Sequence, residues 1–134
     1  MNMGLSVFDI SGRAMSAQLV RLNTTASNLA NAGSIAGSEA QAFRALKPVF
    51  RAVGDEPGVA TVQVDRVVAS ETQPVMRHEP GHPLADKDGN IWEAGVDANA
   101  EMVEMIEAAR QYQNNVQVLE TAKTLMLETI RIGR

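Results

Sequence analysis

Cysteine is absent from the 134 residues, so disulfides, thiol chemistry and cysteine-ligated zinc are excluded outright. Aromatic residues are almost as scarce: Phe8, Phe43, Phe50, Trp92 and Tyr112 are all there are, against seven methionines and many alanines. Such small and flexible side chains suit helix-on-helix packing better than the enclosed pocket of an enzyme. No basic patch stands out and the net charge is a mild −4, which argues against nucleic acid as a partner. No run approaches the ~20 apolar residues that a membrane span needs. A phosphate-binding glycine loop and a Gly-x-Ser-x-Gly elbow are also missing, so nothing indicates a small-molecule substrate or a cofactor. The start, MNMGLSVFDISGRAMSAQ, is interrupted by Asp9 and Arg13 and lacks the charged leader and apolar run of a secretion signal. If the chain leaves the cytoplasm, the expected route is one that leaves the N-terminus intact.

One motif argues for chemistry. His78-Glu79-Pro80-Gly81-His82 spells H-E-x-x-H, the zinc-protease pattern in which a helix brings both histidines to one metal with the glutamate beside them. Here Pro80 and Gly81 sit inside the pattern and Pro83 follows it. A proline within a helix costs roughly 3 kcal/mol and the glycine about 1 more. Glu79 and His82 each precede a proline, which pushes them toward extended backbone. The stretch therefore reads as a rigid turn, and no third histidine exists to complete a site. Asp86 to Asn90 (DKDGN) resembles a calcium loop, but the glycine comes at position four and Asp97 stands where the closing glutamate belongs, so it too reads as a turn.

What is present is helical grammar at both ends. Phe8, Met15, Leu19, Leu22, Ala26 and Leu29, with Gly12 in one slot, follow the alternating 4-3 spacing of a seam that meets another helix. Ser6 or Asp9 is placed to cap its start and Gly33 to end it. Met102, Met105, Ala109, Tyr112, Val116, Leu119, Met126 and Ile130 repeat the spacing more strongly, broken by Lys123, which either snorkels or pairs with an acid on another subunit. A second stripe runs through Val118, Ala122, Leu125, Thr129 and Ile132. Asp97 is a cap, and no proline or glycine intervenes before Arg131.

A helix of that length runs about 50 Å, whereas a globule of this size has a radius of gyration of about 14 Å. The N-terminal helix covers part of one stripe but hardly both, and each large apolar side chain left in water forgoes roughly 1.5–3 kcal/mol of burial. The surplus stripe calls for other chains. The alternative is a self-contained α+β binding module, whose helices pack only on each other around a private core.

The middle alternates in a strand-like way from Phe43 to Val53 and Val59 to Val68, with Pro57-Gly58 as the turn. Val75 to Arg77 is a short strand, and Asp88-Gly89-Asn90 turns the chain toward Ile91-Trp92. The expected fold class is α+β: residues 1–33 an N-terminal helix, 34–42 a linker, 43–96 a small β-rich domain with a turn-rich loop at 78–90, and 97–134 a C-terminal helix.

Certain residues go beyond pattern. Thr25 to Ala32 (TASNLANA) resembles the N-terminal signature of the bacterial flagellar rod and hook axial proteins. Glu101 to Ile106, Ala109 to Asn115 and Leu125 to Gly133 resemble the other half of that family's pattern. Val7 to Gly12 and Glu79 to Asp86 resemble a proximal-rod member in particular. The resemblance implies paired terminal helices in an inner coiled-coil layer with the β-rich domain outside it. It also implies helical stacking into the periplasmic rod, the drive shaft of the flagellum, and export by the flagellar type III apparatus without a cleaved signal. The implied partners are copies of the chain itself, other rod proteins, the export apparatus and the inner-membrane ring; the role is structural and no enzyme activity is implied. On this reading Met102, Met105, Tyr112, Val116, Leu119, Met126 and Ile130 meet Phe8, Met15, Leu22 and Leu29, with Leu19 and Lys123 in the same interface. Asn28 and Asn31 lock the register through their amides. A metal-dependent hydrolase using His78, Glu79 and His82 is the rival from a different class.

Overall fold

A computed structural model describes residues 6–133, the side chains of residues 55 and 56 aside. Residues 1–5 and 134, which belong to the expected terminal helices, lie outside the described residues. In chain order the elements are helix α1 (Val7–Ala30), strands β1 (Ile35–Ala36), β2 (Leu46–Glu56), β3 (Val59–Ala69), β4 (Val75–His78) and β5 (Asn90–Glu93), and helix α2 (Ala98–Ile132). Two long terminal helices flank a small β region, as the α+β reading expected.

The start of α1 uses both candidate caps at once. Ser6 Oγ accepts from the Asp9 amide at 3.2 Å, and Asp9 Oδ2 accepts from the Ser6 amide at 3.2 Å and its hydroxyl at 3.0 Å. This reciprocal box satisfies donors that the first turn otherwise leaves without partners. The end of α1 differs from expectation. Asn31 is the C-cap, its N–H reaching Ser27 and Asn28 carbonyls, and Gly33 is not in the left-handed region, so it is not the stop residue. At α2, Asp97 Oδ1 accepts from Asn99 and Ala100 amides at 3.1 and 3.2 Å. The helix then runs 35 residues, about 52 Å, against 24 residues and about 36 Å for α1.

The middle region holds two separate sheets. One is a two-stranded antiparallel hairpin, β2 with β3; the other is three-stranded in the order β1-β5-β4. Gly58 closes the hairpin at φ 83°, a conformation L side chains rarely adopt, which is why Pro57-Gly58 was readable as a turn. β2 begins three residues later than the alternation suggested. Phe43 and Arg44 are engaged elsewhere: the Phe43 carbonyl accepts from Gly95 N–H at 3.1 Å and Arg44 bridges Gly95. Pro48 has no N–H to give, and β2 tolerates it because every strand of a two-stranded sheet is an edge. The stretch expected as linker contains β1, where Ile35 and Ala36 pair with Glu93 and Trp92.

The buried interior is small. Ile91 and Asn28 are the largest side chains that are fully buried, and the other buried apolar residues are all alanines. α1 is the shared wall: it packs on α2, β2 and β3, and α1 is the element packed on α2.

Candidate subunit interface

The two helices are antiparallel. Asn28 near the end of α1 bonds Glu101 in the first turn of α2, Arg21 bonds Glu104, and Val7 at the start of α1 shares a shallow groove with Asn114, Val118 and Leu125. Asn28 is the junction of three elements. Its Oδ1 accepts from the Leu46 amide at 2.8 Å, and its Nδ2 donates to the Leu46 carbonyl at 2.9 Å and to Glu101 Oε2 at 3.0 Å. The amide thus mimics a strand partner for the first residue of β2 while fixing α2, and it does so at 1 % exposure. Arg21 adds a charged clasp, with Nη2 and Nε at 2.6 and 3.0 Å from one Glu104 oxygen.

The seam expected from large apolar residues is only partly the one that forms. Met105, Tyr112, Val116 and Leu119 on α2, and Phe8, Met15, Leu22 and Leu29 on α1, are half-buried. Leu19, Met102, Met126 and Ile130 are exposed, as is Lys123, which makes no ion pair among the described residues. The expectation that the whole α2 stripe meets α1 is therefore corrected: coverage stops at Ala122, and all described residues beyond it are exposed. The reason is length, since the described α1 is about 16 Å shorter than α2. Asn31 also departs from its expected role. Its Nδ2 donates at 2.8 Å to Ser27 O in its own helix and so locks no neighbour in this chain.

Small and polar residues are the ones the two helices bury. Ser11, Thr25, Asn28 and Ala17 are the buried residues of α1, and Glu101 and Ala108 those of α2. Small side chains let two helices approach closely enough for amide and carboxylate groups to meet across the seam. The large apolar side chains of the two helices are half-buried or exposed. Nine of them on α2 are exposed, from Met102 to Ile132, with Ile132 at 86 %.

A groove of about 610 Å³ opens where the end of α1, the start of β2 and the first turns of α2 converge. Leu46, Pro48, Phe50, Val103 and Glu101 line it, with the Arg21–Glu104 clasp at its side.

The HEPGH segment is a turn. Glu79 N–H donates to Gly89 O at 2.8 Å and His82 N–H to Glu79 O at 3.0 Å, so no helix carries the two histidines to a common metal. His78 Nδ1 faces Asn90 Oδ1 at 3.1 Å, and His82 Nδ1 accepts from the Leu84 amide at 3.0 Å. In DKDGN, Asp86 Oδ1 is occupied by the amides of Asp88 and Asn90, at 2.9 and 2.8 Å, and Gly89 turns the chain at φ 76°. Both motifs are spent on local structure.

Comparison with known proteins decides among the readings. Residues 8–33 match the family described as flagella basal body rod protein, and residues 87–132 match the C-terminal family of flagellar basal body rod FlgEFG proteins. The flagellar basal-body rod protein FlgC of Escherichia coli O6:H1 is 46 % identical over 132 residues, 97 % of this chain and 98 % of that protein. The chain belongs to the FlgC family of flagellar basal-body rod proteins. The Salmonella typhimurium FlgC is equally similar, at 46 % over the same span, and that of Aquifex aeolicus is 35 % identical over 126 residues, 92 % of each chain.

The matched stretches coincide with the two helices, reaching back in the second case to Lys87. The β2–β3 hairpin lies outside both matches, although the FlgC relatives align through it. Sequence reading missed Glu101, Ala108, Thr25 and Arg21 as structural contacts. One signal was available: Asn28 and Glu101 are polar residues within TASNLANA and EMVEMI, the two stretches that resemble the family's terminal motifs.

Proposed function

We propose that this chain assembles helically through its terminal helices into the proximal rod, joined to copies of itself and to other rod proteins, and transmits torque along the drive shaft. The chain is a structural subunit of the flagellar basal-body rod. Its role is mechanical and not enzymatic. One observation carries the assembly reading: nine large apolar side chains of α2 stand exposed on a helix that, among the described elements, packs on α1. Each forgoes roughly 1.5–3 kcal/mol of burial unless another subunit covers it. A self-contained binding module would have buried them.

The interface proposed comprises the exposed Leu19, Met102, Lys123, Met126 and Ile130, with Phe8, Met15, Leu22, Leu29, Met105, Tyr112, Val116 and Leu119 as the half-buried rows beneath and Asn28 setting register between the two helices. The rod crosses the periplasm, and the chain reaches it through the flagellar type III export apparatus with no cleaved signal, to stand above the inner-membrane ring. Deleting the gene should leave basal bodies stalled with no rod beyond that ring, visible by electron microscopy, and the full chain supplied in trans should restore it. Complete rods in the deletion strain would refute the assignment.

A further inference from the structure

His82 joins two consecutive turns in the loop between β4 and β5. Its N–H closes the first, donating to Glu79 O at 3.0 Å, and its carbonyl closes the second, accepting from the Ala85 amide at 3.0 Å. Each turn has a proline after its first residue, Pro80 and Pro83, where a fixed φ of about −65° suits it. The side chain adds a third bond, Nδ1 accepting from the Leu84 amide at 3.0 Å. Nδ1 stands as many bonds from Cα as the Oδ1 of Asn or Asp, so the ring closes the same turn that those side chains close on the amide two residues on. Asp86 does so in the same loop, its Oδ1 accepting from the Asp88 amide at 2.9 Å. An N–H meets Nδ1 only where that nitrogen carries a lone pair, so the ring proton of His82 resides on Nε2. We propose that His82 is a pH-sensitive clip, which holds the Leu84 amide while its imidazole is neutral and releases it when the ring takes a second proton.

An imidazolium carries N–H at both nitrogens and accepts nothing. Imidazoles change between the two forms within about pH 5 to 8, whereas a carboxylate keeps its charge through that range. Of the two matching turns, only that of His82 then opens. His78 responds differently: its Nδ1 faces Asn90 Oδ1 at 3.1 Å and donates to it, a bond that a second ring proton leaves in place. Most charged groups in and beside the loop are engaged elsewhere. Glu79 is held by Arg77 at 3.0 Å, Arg77 also reaches Glu93 at 3.4 Å, and Asp86 Oδ1 holds the Asp88 and Asn90 amides. Lys87 and Asp88 are exposed, and Glu39, beyond Gly37, lies 4.0 Å from Arg44. Among the described residues His82 makes no ion pair that would hold the imidazolium in place. The clip fixes Leu84, an exposed apolar residue whose carbonyl lies so near Gly37 that a methyl there would come within 3.1 Å of it. Releasing the amide frees that side chain and slackens the contact of the loop with the segment after β1.

The Asp86 turn serves as an internal control, and the test is an NMR titration of the nitrogen-15-labelled full chain from pH 8 to pH 5. At pH 8 the ring nitrogens of His82 should report the Nε2–H tautomer. As pH falls, the Leu84 amide proton should move upfield along the titration curve of the His82 ring itself. Its exchange with solvent, corrected for the pH dependence of free exchange, should quicken at least about threefold, the mark of one modest hydrogen bond lost. The Asp88 amide should do neither. His82→Asn keeps an acceptor in the same place and should remove the pH response at Leu84, whereas His82→Ala should leave that amide in its released state at both ends. An Nδ1–H tautomer at pH 8, a Leu84 amide indifferent to pH, a parallel change at Asp88, or a His82→Asn chain that responds as the natural one does would each overturn the proposal.

Discussion

Asn28 and Glu101, 73 residues apart in the chain, meet at 3.0 Å between the end of one terminal helix and the start of the other. Because the same amide closes two hydrogen bonds with Leu46, one side chain ties α1, α2 and β2 together. Asn28→Ala would leave the Leu46 amide, the Leu46 carbonyl and the Glu101 carboxylate short of a partner, each at about 1–3 kcal/mol where water cannot enter. The expected outcome is a loss of several kcal/mol, read as a lowered urea midpoint of the full chain. Asn28→Asp should show a distinct pH dependence. Two carboxylates then share the site, raising the folded-state affinity for a proton above that of the unfolded chain. Stability of this variant should therefore rise as pH falls from 7 toward 4, opposite to what an ordinary salt-bridged acid gives. A variant that weakens with falling pH would show that the junction does not form.

The Arg21–Glu104 clasp is expected to matter less, despite its short distances. Glu104 is about half exposed, and pairs of this kind contribute about 0.2–1 kcal/mol, screened by salt. Arg21→Ala should shift the urea midpoint by less than the Asn28 change does, and by less still at 1 M salt. A loss comparable to that of Asn28→Ala would show that Arg21 also works through packing of its stem.

The capping box at Ser6 and Asp9 makes a prediction in pH. The Ser6 amide and then its hydroxyl hold the Asp9 carboxyl below the usual carboxylate value, with Arg13 adding a smaller effect in the same direction and burial opposing. A depressed folded-state pKa means that the contribution is fully present above the unfolded-chain value, about 3.9, and is lost as pH falls through the folded one. In a carbon-detected NMR titration Asp9 should titrate lower in the natural chain than in Ser6→Ala, where the hydroxyl bond is gone. Identical midpoints would mean that the hydroxyl contributes nothing to the cap.

How far the sequence spoke depended on which signal each element carries. The helices were legible because spacing, Asp97 and Ser6 as caps, and 35 residues without proline or glycine all agree. The turns at Gly58 and Gly89 were legible for the same reason: both need a conformation that glycine supplies. β1 was not legible, since two residues carry no periodicity. The phase of the seam was the instructive failure. Apolar spacing finds the faces that want to leave water, but in this chain the helices bury Ser11, Ala17, Thr25, Asn28, Glu101 and Ala108 while Met102, Met126 and Ile130 are exposed. Hydrophobic pattern registers total burial and cannot separate what one chain buries from what an assembly buries.

Gly95 and Gly33 should respond oppositely to alanine. A methyl at Gly95 would come within 2.7 and 2.9 Å of the Thr72 and Gln73 carbonyl oxygens, backbone atoms that cannot swing aside. Overpacking of this sort typically costs about 1–3 kcal/mol. At Gly33 nothing stands within 4 Å and the backbone is not left-handed, so alanine should be neutral or slightly stabilising through the unfolded chain. Thermal melts of the two variants check this directly.

The division between folding and assembly can be tested by placing one charge at two depths of the same helix. Ala108 is fully buried against α1, and Ala108→Asp puts an unpaired carboxylate there, so the isolated chain should lose most of its stability. Ile130 is exposed in the lone chain, and Ile130→Asp should leave the urea midpoint within about 0.5 kcal/mol of the natural protein. Swimming in soft agar should nevertheless be lost in both, the first for want of a folded subunit and the second for want of a surface to join. Each large apolar side chain kept from burial forgoes roughly 1.5–3 kcal/mol, and a charge in its place adds a desolvation cost at every repeat of the contact along the rod. A stable, fully motile Ile130→Asp strain would remove the end of α2 from the interface.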